Sequence, residues 1–403
     1  MNAPVDVLIA GAGPAGAGAA LRLARAGLSV VAVDRARFPR EKICSEYMSP
    51  EGVRHLAALG VLDRVERAGG QPIRGTMVQA PRGSRLTGLF ARAGTAPFRA
   101  TGLSVPRRIL DHALVEAARE AGATVMEGIT AQGVIREQGR ITGLSVRSDE
   151  GGQRELRARL TIGADGLHSM LARTIGGRRF GRLKRYAFVA HIERVPGLSD
   201  TAEMHVSADG YVGINPLGGT LVNVALVVPR ERAAQARGRL EAFFLEQLER
   251  FPGVRGRVRA GAIVREVLVT GPFAAWSPRV ATAGALLTGD AADFFDPFTG
   301  EGICAALRGS ELLEPCVLEA LARPGSPSLA ALASYPRARR RAFLGKWTVE
   351  RAIGYAMLAP ALFDRAVARM ERRGLAHTLI GVTGDFVPPR AVLNPVFLSQ
   401  VVF

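Results

Sequence analysis

Val5-Asp6-Val7-Leu8-Ile9-Ala10-Gly11-Ala12-Gly13-Pro14-Ala15-Gly16 carries an apolar run of strand length into a glycine-rich turn, and an Ala- and Leu-rich helical segment, Ala17 to Ala26, follows. Strand, tight turn and helix in that order are the context in which G-x-G-x-x-G has a physical meaning. Gly11 is free to take a backbone conformation closed to other residues, Gly13 lets the main chain approach a pyrophosphate, and Gly16 lets the helix pack closely on the strand. The phosphates then meet unpaired N–H groups at the positive end of the helix. Leu28 to Val33 reads as a second buried strand and ends at Asp34, 23 residues after Gly11, where a carboxylate accepts hydrogen bonds from a ribose diol. The fingerprint predicts a bound dinucleotide and leaves NAD and FAD both open.

Working outward, 403 residues suffice for two packed domains and a tail, and 48% apolar content excludes disorder. No apolar run reaches membrane-span length without a charge or a glycine. The strand beginning at Val5 leaves no room for a signal peptide, so a cytoplasmic location is expected. Cys44, Cys304 and Cys316 are too few and too scattered for a disulfide framework or a zinc site, so no metal is expected. The net charge of +17 is mainly arginine. An Arg-, Ala- and Gly-rich composition has a plain origin in a GC-rich genome. Its functional readings are a carrier-bound or CoA-bound acyl chain, the extra phosphate of NADPH, or peripheral contact with an acidic membrane surface. Aromatic residues make up 6% and do not interleave with the basic clusters, which speaks against nucleic acid.

Beyond Asp34, the polar, proline-punctuated stretch from Arg35 to Pro50 predicts a long loop over the strand ends, with Ser49 as N-cap and Pro50 opening a helix to Leu59. Residues 73–99 read as short strands leaving the nucleotide domain. A helix from Ile109 to Ala121 and a strand from Thr124 to Met126 return to it. A hairpin of Ala131 to Glu137 with Ile141 to Ser148 follows, then a strand from Leu156 to Ile162 that ends in Gly163-Ala164-Asp165-Gly166-Leu167-His168-Ser169 and a helix from Met170. Residues 186–228 and 258–270 are β-rich, with a hairpin turned at Gly218-Gly219 and an interrupting helix from Glu231 to Glu249. The apolar run Val280 to Leu287 feeds Thr288-Gly289-Asp290-Ala291-Ala292-Asp293-Phe294-Phe295-Asp296-Pro297-Phe298-Thr299-Gly300-Glu301-Gly302-Ile303, and the pattern is helical from there to about residue 385.

These glycine–aspartate sites, in this order and at these spacings, resemble the FAD-dependent aromatic hydroxylase and geranylgeranyl reductase superfamily over roughly residues 5–350. The resemblance implies a mixed α/β (α+β) fold. Residues 1–72, 100–175 and 272–330 would form a discontinuous, Rossmann-like FAD-binding domain of the glutathione-reductase/p-hydroxybenzoate-hydroxylase type. Residues 73–99 and 176–271 would form an antiparallel substrate-binding sheet domain, and 331–403 a helical C-terminal region. It further implies that Gly11, Gly13, Ala15, Gly16 and Asp34 hold the ADP of FAD, that Asp165 and Gly166 support the dinucleotide, and that Gly289 and Asp290 hold the ribityl chain. Arg35, Lys42, Cys44 and Arg107 are expected beside the cofactor, as are Gly300, Gly302 and Ile303 at the start of a helix whose dipole faces the flavin edge. Asp290 is also supported independently, since it follows an apolar strand at its carboxyl end. No second G-x-G-x-x-G is present, so NAD(P)H is expected only as a transient electron donor.

The loop Phe38-Pro39-Arg40-Glu41-Lys42-Ile43-Cys44, with Ser49-Pro50 and the Gly300-Glu301-Gly302-Ile303 ending, is more similar to the geranylgeranyl reductase branch than to the phenol hydroxylases, although Cys44-Ser45 stands where that branch has Cys-Gly. Trp276 and Trp347 are too far apart for the paired-tryptophan signature of flavin halogenases. Cys44 reads as a proton donor or pocket-shaping thiol activated by Lys42 and Arg40, or as a loop filler. Pro297 and Gly300 are further candidates at the reacting centre, and Tyr47, His191, Tyr211 and Asn215 candidates for the substrate pocket. Lys346 to Met370 reads as packing against the first domain, or as a lid for an apolar substrate. The leading expectation is an NAD(P)H-dependent monooxygenase hydroxylating an apolar aromatic or polyketide-like secondary metabolite. The alternative is reduction of C=C bonds of an isoprenoid, and an alternative of another class is a non-enzymatic escort of prenylated partners.

Overall fold

The computed structural model describes residues 4–402. Its first layer grows from Val5–Ala10, which pairs in parallel with Val30–Asp34 on one side and Gln153–Gly163 on the other. Thr124–Glu127 and Ala285–Leu287 extend the parallel sheet outward. Both faces are covered, which explains why the opening strand is apolar without alternation from Val7 to Ala10. Val7 and Ile9 point into a cluster shared with helices Pro14–Arg25, Arg107–Glu120 and Gly302–Leu321. Leu8 and Ala10 point into another, built from the hairpin Ile129–Glu137 with Arg140–Ser148 and from helix Met170–Gly176.

The second layer is a seven-stranded sheet in the order Ile263–Thr270, Arg185–Glu193, Leu221–Pro229, Gly210–Gly218, Thr201–Ser207, Gly75–Gln79, Arg85–Leu89. All its pairings are antiparallel except that of Thr201–Ser207 with Gly75–Gln79. Alternation splits its faces in turn. Phe188, Ala190, Val224 and Leu226 pack against Phe243, Phe244 and Leu248 of helix Leu240–Leu248. Ala187, Val189, Ala225 and Val227 face the other way.

Three expectations are corrected. The helix expected from Glu231 to Glu249 is broken, because Gly238 takes φ +72° and Leu240–Leu248 starts anew after it. Val280 to Leu287 is not one strand: it folds back at Gly284, φ +76°, so that Ala281–Thr282 pairs antiparallel with Ala285–Leu287. The C-terminal helices pack chiefly on the second sheet rather than the first domain. Phe363, Val367 and Met370 of helix Pro360–Arg372 join Val78, Leu86 and Phe273 in the cluster that also holds Ala187, Val189, Ala225 and Val227.

Candidate active site

The loops after four parallel strands converge at the carboxyl edge of the first sheet, where open α/β sheets bind ligands. They enclose, with the second sheet, a cavity of about 550 Å³. Gly11 has φ +95°, and a Cβ there would lie 2.4 Å from the Ala164 carbonyl oxygen. A Cβ on Gly16 would lie 1.8 Å from the Gly11 oxygen, so helix and strand approach as only glycine permits. Gly13 is different, since a Cβ would meet only the tips of Arg40 and Arg107, at 3.5 and 3.8 Å. Its main chain is open toward the cavity, beside two guanidinium groups that share Asp111 and leave a net positive charge there.

Asp34 accepts from the Ala12 N–H at 2.8 Å and the Ala36 N–H at 2.9 Å, which locks the turn while the residue lines the cavity. Asp165 accepts from Ser169 and from the Met170 and Leu171 N–H groups, so its carboxylate is spent on starting its own helix. Asp290 stands apart. It lines the cavity and accepts no hydrogen bond from the described residues, while Lys42, Arg107 and Arg178 surround it at longer range and oppose the upward push that burial gives its pKa. A carboxylate so placed needs hydrogen-bond donors, which the hydroxyls of the ribityl chain of FAD would provide. The residues present therefore fit FAD: a glycine cradle for the phosphates, Asp34 for the ribose and Asp290 for the ribityl chain.

Ala15, Arg35, Lys42, Cys44, Arg107, Gly166, Pro297, Gly300, Gly302 and Ile303 all line the same cavity. Gly16 and Gly289 do not; they allow close packing behind it, Gly289 against Ala15. Gly300 has φ +71° and leaves room for the Tyr47 ring, 2.6 Å from where a Cβ would stand. Among the expected substrate residues, Tyr47, Tyr211 and Asn215 line the cavity. His191 does not. Its Nε2 lies 2.6 Å from Glu46 Oε2, so it is buried in a hydrogen bond rather than offered to a substrate.

That bond exposes a residue the sequence reading missed. Glu46 is fully buried, at φ +60°, and also accepts from the Arg107 N–H at 2.8 Å and from Asn223 Nδ2 at 2.9 Å. Burial raises its pKa, and these partners more than offset it, leaving it below the usual carboxylate value. Asn223 also donates to the Cys44 carbonyl at 2.8 Å, and Asn215 to that of Ser45 at 3.0 Å. The loop bearing Cys44 is thereby fastened to the second sheet. The only signal for this was an acid within a basic loop.

The expected activation of Cys44 by Lys42 and Arg40 is also corrected. Burial pushes the thiol's pKa up, and the cation that opposes the shift is Arg107, itself held by Asp111 at 2.7 Å. The thiol is therefore kept protonated. Asp296 caps Phe298 and accepts from the Tyr211 hydroxyl at 2.6 Å and from Arg185 at 2.7 Å. Asp293 is bound by Arg339 and by the Trp347 indole. The wall facing the nucleotide loops is apolar, with Val189, Ala225, Val227, Phe273 and Phe294 among its side chains.

Residues 4–345 match the family described as FAD binding domain. The chain is 28% identical to digeranylgeranylglycerophospholipid reductase 1 of Methanococcoides burtonii, over 80% of this chain and 76% of that protein. It is 30% identical to the menaquinone reductase of Mycolicibacterium smegmatis, over 77% of this chain and 76% of that one. Among solved structures, the myxobacterial chondrochloren halogenase CndH superposes with a TM-score of 0.80 at 23% identity, covering 99% of this chain and 95% of that one, a likeness of fold.

Proposed function

We propose that this chain, which belongs to the FAD-dependent aromatic hydroxylase and geranylgeranyl reductase superfamily, reduces isolated C=C bonds of an apolar isoprenoid chain. The carrying observation is a half-buried thiol, Cys44, on a fastened loop in a cavity whose opposite wall is largely apolar, where desolvation pushes its pKa up and favours the protonated form. The reductase names of both sequence relatives support it, and they favour this chemistry over the hydroxylation that the superfamily as a whole suggests.

Reducing an isolated double bond requires a hydride at one carbon and a proton at the other. Bound FAD, reduced by NAD(P)H, supplies the hydride. Cys44 supplies the proton: its S–H bond breaks as the second C–H bond forms, and the thiolate regains a proton from solvent. Arg107 stands beside the sulfur and stabilises that thiolate in the interval. The apolar wall orients the chain and excludes water. Substrates of this class reside in lipid, and no helix among the described residues is long and apolar enough to cross a membrane. Exposed Leu358, in the turn after helix Ser334–Ala356, and exposed Leu362 and Val396 on the helices that follow, with a net charge of +17, favour peripheral contact with an anionic lipid surface on the cytoplasmic side.

The test is anaerobic. The purified flavoprotein is reduced with dithionite and mixed with menaquinone or a digeranylgeranyl glycerolipid, and flavin absorbance and product mass are followed. Return of the oxidised spectrum with a gain of two hydrogens in the isoprenoid chain, located by fragmentation so that quinol formation is not counted, is expected. Cys44→Ser should slow that step by roughly 10²- to 10⁴-fold while retaining FAD, the usual range for loss of a general acid. Reoxidation only by oxygen, with an oxygen atom added to an aromatic substrate, would sink the reductase in favour of the hydroxylase.

A further inference from the structure

Next to the main cavity, and sharing Asp290, Thr299 and Gly302 with it, lies a small cavity of about 40 Å³. Its other walls carry an unusual concentration of ionisable groups. Glu301 comes from the turn that opens helix Gly302–Leu321, while Arg339, Lys346 and Glu350 come from helix Ser334–Ala356. Glu301, Arg339 and Lys346 are each only 3% exposed. Lys346 Nζ, Glu301 Oε1, and Nε and Nη1 of Arg339 have no hydrogen-bond partner among the described residues. Buried polar groups are seldom left unpaired, and a cavity of this size holds roughly three waters at about 10–15 Å³ each.

Most of the surrounding charges are paired. Arg339 binds Asp293, Arg308 binds Asp385, and Arg185 binds Asp296. Ser49 donates to Glu301 at 3.0 Å, and Thr299 to Glu350 at 3.4 Å. Asp290, on the wall shared with the main cavity, is balanced at longer range by Lys42, Arg107 and Arg178, and what remains is one ammonium, Lys346, with two carboxyls, the buried Glu301 and the half-buried Glu350. With both ionised the site would hold one surplus negative charge out of water, so one proton is retained between them.

We propose that Glu301, Lys346 and Glu350, joined by water in this cavity, form a proton-holding site that takes up a proton when FAD in the adjoining cavity is reduced. Hydride reduction of FAD held by these residues would add one negative charge to the adjoining cavity. Glu301 lies between Gly300 and Gly302, both of which line the main cavity, so that charge arises close by and in a medium that screens poorly. A proton from solvent then forms an O–H bond on the ionised carboxylate, and Lys346 stays charged. Both carboxyls are suited to this because burial, opposed by Lys346, raises each to about 7. Asp385 adds to the rise at Glu301, and Asp293 and Asp296 add to it at Glu350.

Infrared difference spectra of the FAD-loaded protein, reduced at an electrode, test this, with the midpoint potential recorded against pH in the same cell. The reduced-minus-oxidised spectrum should contain a protonated-carboxyl band that shifts in D₂O and is lost in Glu301→Gln, Glu350→Gln or the double variant. The potential of the double variant should depend less on pH around neutrality than that of the wild type. Absence of the band in the wild type, or its persistence in the double variant, overturns the proposal. Should the variants fail to hold FAD, wild-type protein carrying ¹³C-labelled glutamate decides: a band that does not move with the label belongs to other groups, and the proposal fails.

Discussion

Asp290 and Cys44 show how differently two residues on one cavity wall are used. Asp290 accepts no hydrogen bond from the described residues, so its carboxylate is open to a ligand hydroxyl while Lys42, Arg107 and Arg178 support it at longer range. Asp290→Ala removes one or two hydrogen bonds to a charged group, at about 1.5–3 kcal/mol for the first. FAD affinity, measured by titrating the apoprotein, should fall roughly ten- to hundredfold, and an unchanged affinity would show that the ribityl chain lies elsewhere. The sequence pointed to Asp290 because a carboxylate after an apolar strand has a fixed place at a sheet edge. It misled on His191 and on the activation of Cys44. A histidine at an inward strand position looks the same whether it meets a substrate or Glu46, and a thiol's pKa depends on burial that neighbouring residues in the chain do not reveal.

At the scale of elements, the opening strand–turn–helix stands or falls on Gly16. A methyl group there would sit 1.8 Å from the Gly11 oxygen, on backbone that cannot yield. Gly16→Ala should cost about 3 kcal/mol or more, visible as lost soluble protein or a large fall in melting temperature. Gly27→Ala is the control. It has φ +85° but nothing within 4 Å of its Cβ, so it should cost only the left-handed backbone penalty, about 1–2 kcal/mol. Equal losses from the two would contradict the close-packing argument. Periodicity found the parallel strands, the helices packed on them and the hairpin of Ile129–Glu137 with Arg140–Ser148. It failed at Gly238 and Gly284, where a positive φ that composition alone does not announce breaks a helix and folds a strand.

Across the whole molecule, the proton balance of the small cavity reaches into stability. Glu301 and Glu350 ionise near 7 in the folded chain against an ordinary value of 4.5. Because the folded state favours their protonated forms, their contribution is fully present below about pH 4.5 and is lost as pH rises through about 7. Denaturant midpoints of the apoprotein followed over that interval should fall less in the Glu301→Gln, Glu350→Gln double variant than in the wild type. An identical slope would mean that neither group carries a raised pKa.

The amino-acid sequence by itself determined the nucleotide half of this protein. The glycine turn, Asp34 at a strand end and Asp290 at a helix start, which together fit FAD, are each imposed by local geometry, and local geometry is written in short stretches of residues. Only the tertiary structure decided the rest. It fastens the Cys44 loop through Glu46, His191 and Asn223, sets the C-terminal helices on the second sheet, and closes Glu301, Lys346 and Glu350 around one cavity. These are contacts between residues far apart in the chain, made in surroundings where burial sets the strength of every charge.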